Sequence, residues 1–228
     1  MSGNMKKISV GFLTLFICSF LVALLLNSTA DASIEKQIDN NFASINETIN
    51  KEIALRTATS SNPYDYVKDN PDFENIVALG NDALPGLQKR LLSSERSGLE
   101  EYILAIAIES IAKVDLKKNE STKWISAKMF KTKWPEYLKS IPSLVDSVTA
   151  DQALTTAEKV KKLNEMGTPA LPFILEKIEK GDEYLFPVVI ALTDNSKNVV
   201  ENKTVDPSEW AIQNKDKFSK LKQYVLDQ

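Results

Sequence analysis

One hexad, Gly-x-x-Ala-Leu-Pro, occurs twice in this chain of 228 residues. Gly80-Asn81-Asp82-Ala83-Leu84-Pro85 returns as Gly167-Thr168-Pro169-Ala170-Leu171-Pro172, 87 positions later. Two further landmarks follow in the same order. Glu101-Tyr102 matches Glu183-Tyr184, and Trp124 matches Trp210, at offsets of 82 and 86. Near-constant offsets with small slips are what a copied segment with loop insertions leaves behind. The repeat must be resolved before any fold is assigned, because each copy buries its apolar face on its neighbour. A unit of this size exceeds a single ordinary helical repeat and reads as two stacked helix pairs. Only seven glycines occur in the chain. Its wealth of Ala, Leu, Ile, Lys and Glu favours helix.

Helix signals agree in the two copies. Asn70-Pro71 opens a helix with a capping side chain and a proline in the first turn, and Gly80 closes it. Pro85 falls in the first turn of the next helix, where its missing N–H costs little. Ser97-Gly98-Leu99-Glu100 reads as a capping box ahead of a helix that is apolar all round, from Tyr102 to Ile111. In the second copy Thr155-Thr156-Ala157-Glu158 is another capping box, and its helix stops at Gly167. Thr168-Pro169 caps the next helix, which ends at Gly181. A helix from Asp182 is expected to bend at Pro187. Asp206-Pro207-Ser208-Glu209 caps a last helix carrying Trp210, Phe218, Leu221 and Val225.

A short helix ending in Leu-Gly or Met-Gly, then x-x-Ala-Leu-Pro and a second amphipathic helix, resembles the HEAT-like α-helical repeat family. The bearing segments are Val77-Ala78-Leu79-Gly80 with Ala83-Leu84-Pro85, and Leu163-Asn164-Glu165-Met166-Gly167 with Ala170-Leu171-Pro172. The resemblance spans residues 63–228. It implies an α-solenoid that binds a protein or peptide along one face. The repeats are few, and the tryptophan-bearing segments 119–141 and 204–226 depart from the family pattern. The fold class expected is therefore all-α: a short solenoid-like stack of helix pairs built from a tandem duplication. It divides into a first unit at 63–146 and a second at 147–228.

Ahead of these units stand two other segments. Residues 1–32 hold Lys6 and Lys7, an uncharged apolar run at 8–26, and small residues around Ala30 and Ala32. That order is the form of a secretory signal, with cleavage before Asp31 or Ser33. The run is 19 residues long, close to the ~20 that span hydrocarbon, so a retained anchor is the rival reading. Either way the remainder is expected outside the cytoplasm, secreted or held to a membrane by residues 8–26. Cys18 lies mid-run after Ile17, which is not the small residue a lipid-attachment site needs. As the sole cysteine it excludes an intrachain disulfide. Residues 33–62 are expected to be an amphipathic helix and a linker. Ile34, Ile38, Phe42, Ile45, Ile49 and Ile53 recur at helical spacing. That stripe either packs on the body or pairs with a copy of itself, giving a monomer or a weak dimer.

Chemistry is sparse. The chain has no histidine, which removes histidine-based catalysis and cysteine–histidine metal sites. Paired carboxylates are the remaining catalytic device. The candidates are Glu100, Glu101 and Glu109 in the first copy and Asp182 and Glu183 in the second. Glu100 and Asp182 read as helix-start residues, and Glu109, interrupting an apolar run, reads as a surface turn. Asp194 to Asn198 resembles a calcium loop only in its alternating oxygens, since Val199 and Val205 stand where glycine and glutamate are needed. Trp124, Trp134 and Trp210, with Phe130, Tyr137 and Phe218, form either an aromatic groove or core. Asn27, Asn46, Asn119 and Asn202 begin N-x-S/T sequons. No catalytic residue, metal or cofactor is expected. A net charge of −3 gives no electrostatic case for nucleic acid. The function expected is a non-enzymatic module of the cell envelope that binds a protein or peptide. The alternatives are a carboxylate-dependent hydrolase and a structural or sensory membrane protein dimerising through residues 33–56.

Overall fold

The computed structural model describes residues 5–55, 60–193 and 205–228, with side chains from residue 29 onward. The apolar run at 8–26, Cys18, the Asp194–Asn198 loop and the sequons at Asn27 and Asn202 therefore lie outside the residues whose side chains are described. Among the described residues no helix is long and apolar enough to cross a membrane.

The described residues are helices joined by short turns, with no strand among them. Helix α1 spans Met5–Ala54, α2 Pro71–Ala78, α3 Leu84–Ser93, α4 Leu99–Ala112 and α5 Ala127–Ala150. Then come α6 at Thr156–Glu165, α7 at Leu171–Glu179, α8 at Phe186–Thr193, α9 at Pro207–Asn214 and α10 at Ser219–Leu226. The N-terminal signals work as the sequence predicts at three helices. The Asn70 side chain accepts from the amides of Asp72 and Phe73. Thr155 and Glu158 exchange bonds as a capping box. Asp206 accepts from the Glu209 amide at 2.8 Å.

Elsewhere the elements differ from expectation. The box before α4 sits one residue later than the sequence suggests: Gly98 is the cap, and Glu101 rather than Glu100 accepts its N–H, at 2.8 Å. Pro187 stands in the first turn of α8, because a 3-10 turn at Glu183–Leu185 comes first. Helix α5 runs unbroken through Pro135 and Pro142, and through the expected unit boundary at 146. The last expected helix is two, α9 and α10, joined by a 3-10 turn at Lys215–Phe218.

The stripe on α1 packs on the body. Ile38, Phe42, Ile45 and Ile49 are buried, whereas Ile53 is 56% exposed. Each such buried side chain contributes about 1.5–3 kcal/mol, which is ample reason for the helix to lie down on α2 and α3. Packing partners correspond along the chain. Helix α1 lies on α2 and α3, with α4 against both; α5 lies on α6 and α7, with α8 against both. Helix α4 is buried from Ile103 to Ile108 without a break, as its all-round apolar sequence predicts. Helix α10 closes the stack on α5 and α7. There the Trp134 indole N–H donates to the Tyr224 hydroxyl at 2.8 Å. That hydroxyl donates to the Gln88 carbonyl oxygen, and the Gln88 amide donates to Gln228 at 2.7 Å.

Candidate functional site: a cleft between the two glycine turns

The two hexads fold alike at the backbone. Gly80 has φ +66° and Gly167 +69°. Ala83 and Ala170 adopt −81°, −20° and −80°, −19°. Leu84 and Leu171 are both fully buried. Left-handed φ suits glycine because no Cβ meets the following carbonyl. At Gly167 a second constraint is added. A Cβ there would stand 2.1 Å from the Ala112 carbonyl oxygen and 2.4 Å from Val114 Cγ1, whereas a Cβ at Gly80 meets nothing within 4 Å. The second turn is thus wedged against the end of α4. Thr168, 3% exposed, sits beside that wedge. Its hydroxyl donates to Asn81 Oδ1 at 2.6 Å.

Between these turns lies a cleft of about 590 Å³. The last residues of α2, α4, α8 and α9 all reach it. Its apolar wall includes Ile111, Leu192, Trp210 and Phe218, and Asn81, Ser110, Thr168 and Asn214 supply polar groups. Among the described residues, the charged side chains lining it are Lys113 and Lys217. Both are exposed. Lys113 adopts the left-handed conformation that ends α4, φ +53°. Lys217 Nζ donates to Asn214 Oδ1 at 2.8 Å. Trp210 meets Phe186 edge to face with ring centroids 5.6 Å apart.

None of the five candidate carboxylates lines this cleft. Glu109 is the clearest correction to the sequence reading: it is 7% exposed rather than on a surface turn. Its Oε1 accepts from the Trp124 indole at 2.9 Å and from the Leu116 amide at 3.0 Å. Its Oε2 accepts from Lys117 Nζ at 2.7 Å. That ammonium also stands 3.6 Å from the Trp124 ring centroid, a cation–π contact. Burial opposes the Lys117 charge, but the hydrogen bonds to Glu109 and Tyr64 and the attraction of the Glu109 carboxylate together outweigh it and lift the lysine above its ordinary 10.5. A buried acid with this complete set of donors is a structural ion pair. Glu101 is buried as well. Burial pushes its carboxyl up, yet hydrogen bonds from Ser94, its own amide and Gly98, with the Arg96 charge, together outweigh that and hold it below 4.5. Glu100 pairs with Arg90 and Arg96 at 3.0 and 2.8 Å. Glu183 is exposed and accepts from Ser208. Asp182 is half-buried at the head of the 183–185 turn.

The aromatic candidates divide. Trp124, Phe130, Trp134 and Tyr137 are buried in the core, in a chain of ring contacts with centroids 4.9 to 5.9 Å apart. Tyr137 donates to the Met166 carbonyl at 2.7 Å, and burial pushes its hydroxyl pKa up. Only Trp210 and Phe218 reach the cleft. Sequence reasoning missed Asn81, Lys113, Thr168, Asn214 and Lys217. The signal for two of them was present, since Asn81 and Thr168 each directly follow the repeated glycine. Among the described residues, no three acidic, cysteine or histidine side chains gather as a metal centre would require. Comparison of the chain with protein-family models, curated proteins and solved structures finds no match to any of them.

Proposed function

We propose that this chain is a HEAT-like helical-repeat protein, exported or membrane-anchored, that binds a protein or peptide in the cleft and catalyses no reaction. The observation that carries the reading is the cleft itself. Four helix ends and both repeated turns converge on one concavity with an apolar wall and a few polar groups. That is the makeup of a recognition site. The matched backbone of the two hexads and the parallel packing of α1–α4 and α5–α8 support a tandem duplication behind the fold. Export rests on the order of charge, apolar run and small residues within 1–32.

The rival readings lose support on specific grounds. A carboxylate-dependent hydrolase needs two acids facing a substrate space. Here Glu100, Glu101 and Glu109 are held by structural partners. Dimerisation through 33–56 needs an uncovered apolar seam, and Ile38, Phe42, Ile45 and Ile49 are spent on the chain's own body. The test is a comparison of wild type with Ser110→Trp, which fills the cleft mouth, as baits in extract of the producing cell's envelope. A partner retained by wild type and lost by the variant is the expected result. Capture that ignores the substitution overturns the cleft, and turnover of ester, peptide or glycoside substrates overturns the non-enzymatic reading.

A further inference from the structure

Resting on the reading of the cleft as a binding site, we infer that its occupant is the C-terminal end of a partner's helix. That end seats on the Gly80 turn, with an aliphatic side chain just after it. The chain itself shows how such a seat is filled. At Gly167 the atoms nearest to the absent Cβ are the carbonyl oxygens of Ala112 and Lys113 and Cγ1 of Val114. These belong to the end of α4 and to the aliphatic residue that follows it. Gly80 repeats the turn, with φ +66° against +69°. Ala83 and Leu84 after it match Ala170 and Leu171 in backbone and burial. Among the described residues nothing lies within 4 Å of a Cβ at Gly80, and the turn opens into the cleft.

Left-handed backbone alone does not require a glycine at position 80. Asp69 and Lys113 both adopt φ +53°, so this chain builds that conformation with a side chain in place. Gly181 differs, because its φ of +109° lies outside the left-handed range open to other residues. At Gly167 the bare Cα is used by a neighbour, and the same use accounts for Gly80. The polar groups agree. A helix ends in carbonyls without partners of their own and in the negative end of its dipole. Asn81 Oδ1 is engaged by Thr168, so its amide N–H groups are what it offers the cleft. Lys217 Nζ donates to Asn214, and no acid lines the cleft among the described residues. Ile111, Leu192, Trp210 and Phe218 supply an apolar wall for the aliphatic side chain. A space of about 590 Å³ lies within the ~300–1,000 Å³ of compact ligand sites and suits the last turn of a helix rather than a whole one. A second copy cannot supply the piece from α4, whose end is held by its own Gly167 turn.

The experiment selects two peptide libraries by mRNA display on the full chain, with counter-selection against Ser110→Trp. One library carries random residues at the C-terminal end of a fixed soluble helix. The other carries the same random run in an extended glycine–serine context. Circular dichroism and a thermal melt establish first that each variant folds. The expected result is enrichment from the helix-end library, with Val, Ile or Leu just past the helix. Binding of those peptides should weaken about tenfold or more in Gly80→Ala, whose methyl group stands where the incoming carbonyl must lie. It should also weaken in Asn81→Asp, which keeps an acceptor for Thr168 and replaces the amide donors with a carboxylate. It should persist in Gly181→Ala, which strains a turn away from the cleft. Enrichment confined to the extended library overturns this inference and leaves the binding site standing. So do helix-end binders that ignore both Gly80→Ala and Asn81→Asp, or that lose as much in Gly181→Ala. No enrichment that depends on the open cleft overturns both.

Discussion

Thr168 and Asn81 touch: the threonine hydroxyl donates to the asparagine carbonyl oxygen at 2.6 Å. They occupy the same position, one residue after the glycine, in the two hexads. Like meets like where the two halves of the body come together, at the edge of the cleft. Thr168→Val keeps the shape and deletes the donor. It should cost about 1 kcal/mol of stability in urea unfolding. Asn81→Ala should cost a similar amount, and the double variant less than the sum, because both remove one shared bond.

Gly167→Ala and Gly80→Ala separate conformational strain from crowding. Both force alanine into left-handed φ, a penalty of about 1–2 kcal/mol. Only Gly167→Ala also drives a methyl group into the Ala112 carbonyl, adding about 1–3 kcal/mol of overpacking. Chemical denaturation should rank Gly167→Ala well below Gly80→Ala. Equal losses would mean that the wedge on α4 is absent.

Removal of Glu109 should be among the most damaging single changes in α4. Glu109→Ala strands the Trp124 indole and the Leu116 amide and leaves Lys117 without its counter-charge. The loss should approach the ~3–5 kcal/mol typical of a broken buried pair. Lys117→Met should cost less, since Glu109 keeps two N–H donors and the lysine side chain is 27% exposed. Thermal melts of the two variants check the order.

Acid should weaken the protein through Glu101. Its carboxyl titrates lower in the folded chain than the ordinary 4.5, so its charged form is favoured by folding. The contribution is complete above the unfolded value and is lost as pH falls below 4.5 toward the folded one. Glu101→Gln should flatten that acid limb in a plot of melting temperature against pH. At neutral pH it should cost about 1–3 kcal/mol, for the loss of charged acceptors on Ser94 and Gly98.

Much of the fold was legible because its signals are local. Caps at Asn70, Thr155 and Asp206, the glycine ends and the stripe of α1 depend on neighbours within a few residues. The fold resisted where two local rules competed. Gly98 displaced Ser97 as cap because Glu101 could then satisfy its N–H and sink into the core. Helix α5 runs on through Pro135 and Pro142 because tertiary packing around Trp134 and Tyr137 keeps it whole. The site was mostly illegible for another reason. Glu109 is buried because Lys117 and Trp124 fold back onto it, and Lys113 and Lys217, more than a hundred residues apart in sequence, line one cleft. Periodicity does not encode such meetings. The repeated glycines were the one local mark of where the cleft would open.

The contact of Tyr224 with Gln88 links residues 136 positions apart, and Gln228 reaches the same glutamine across 140. The amide of α3 is therefore buried by residues that the ribosome makes long after it. Until they emerge, the Gln88 amide and the Trp134 indole lack these partners. A seam closed by so distant a segment makes the packing of α3 depend on α10 being in place.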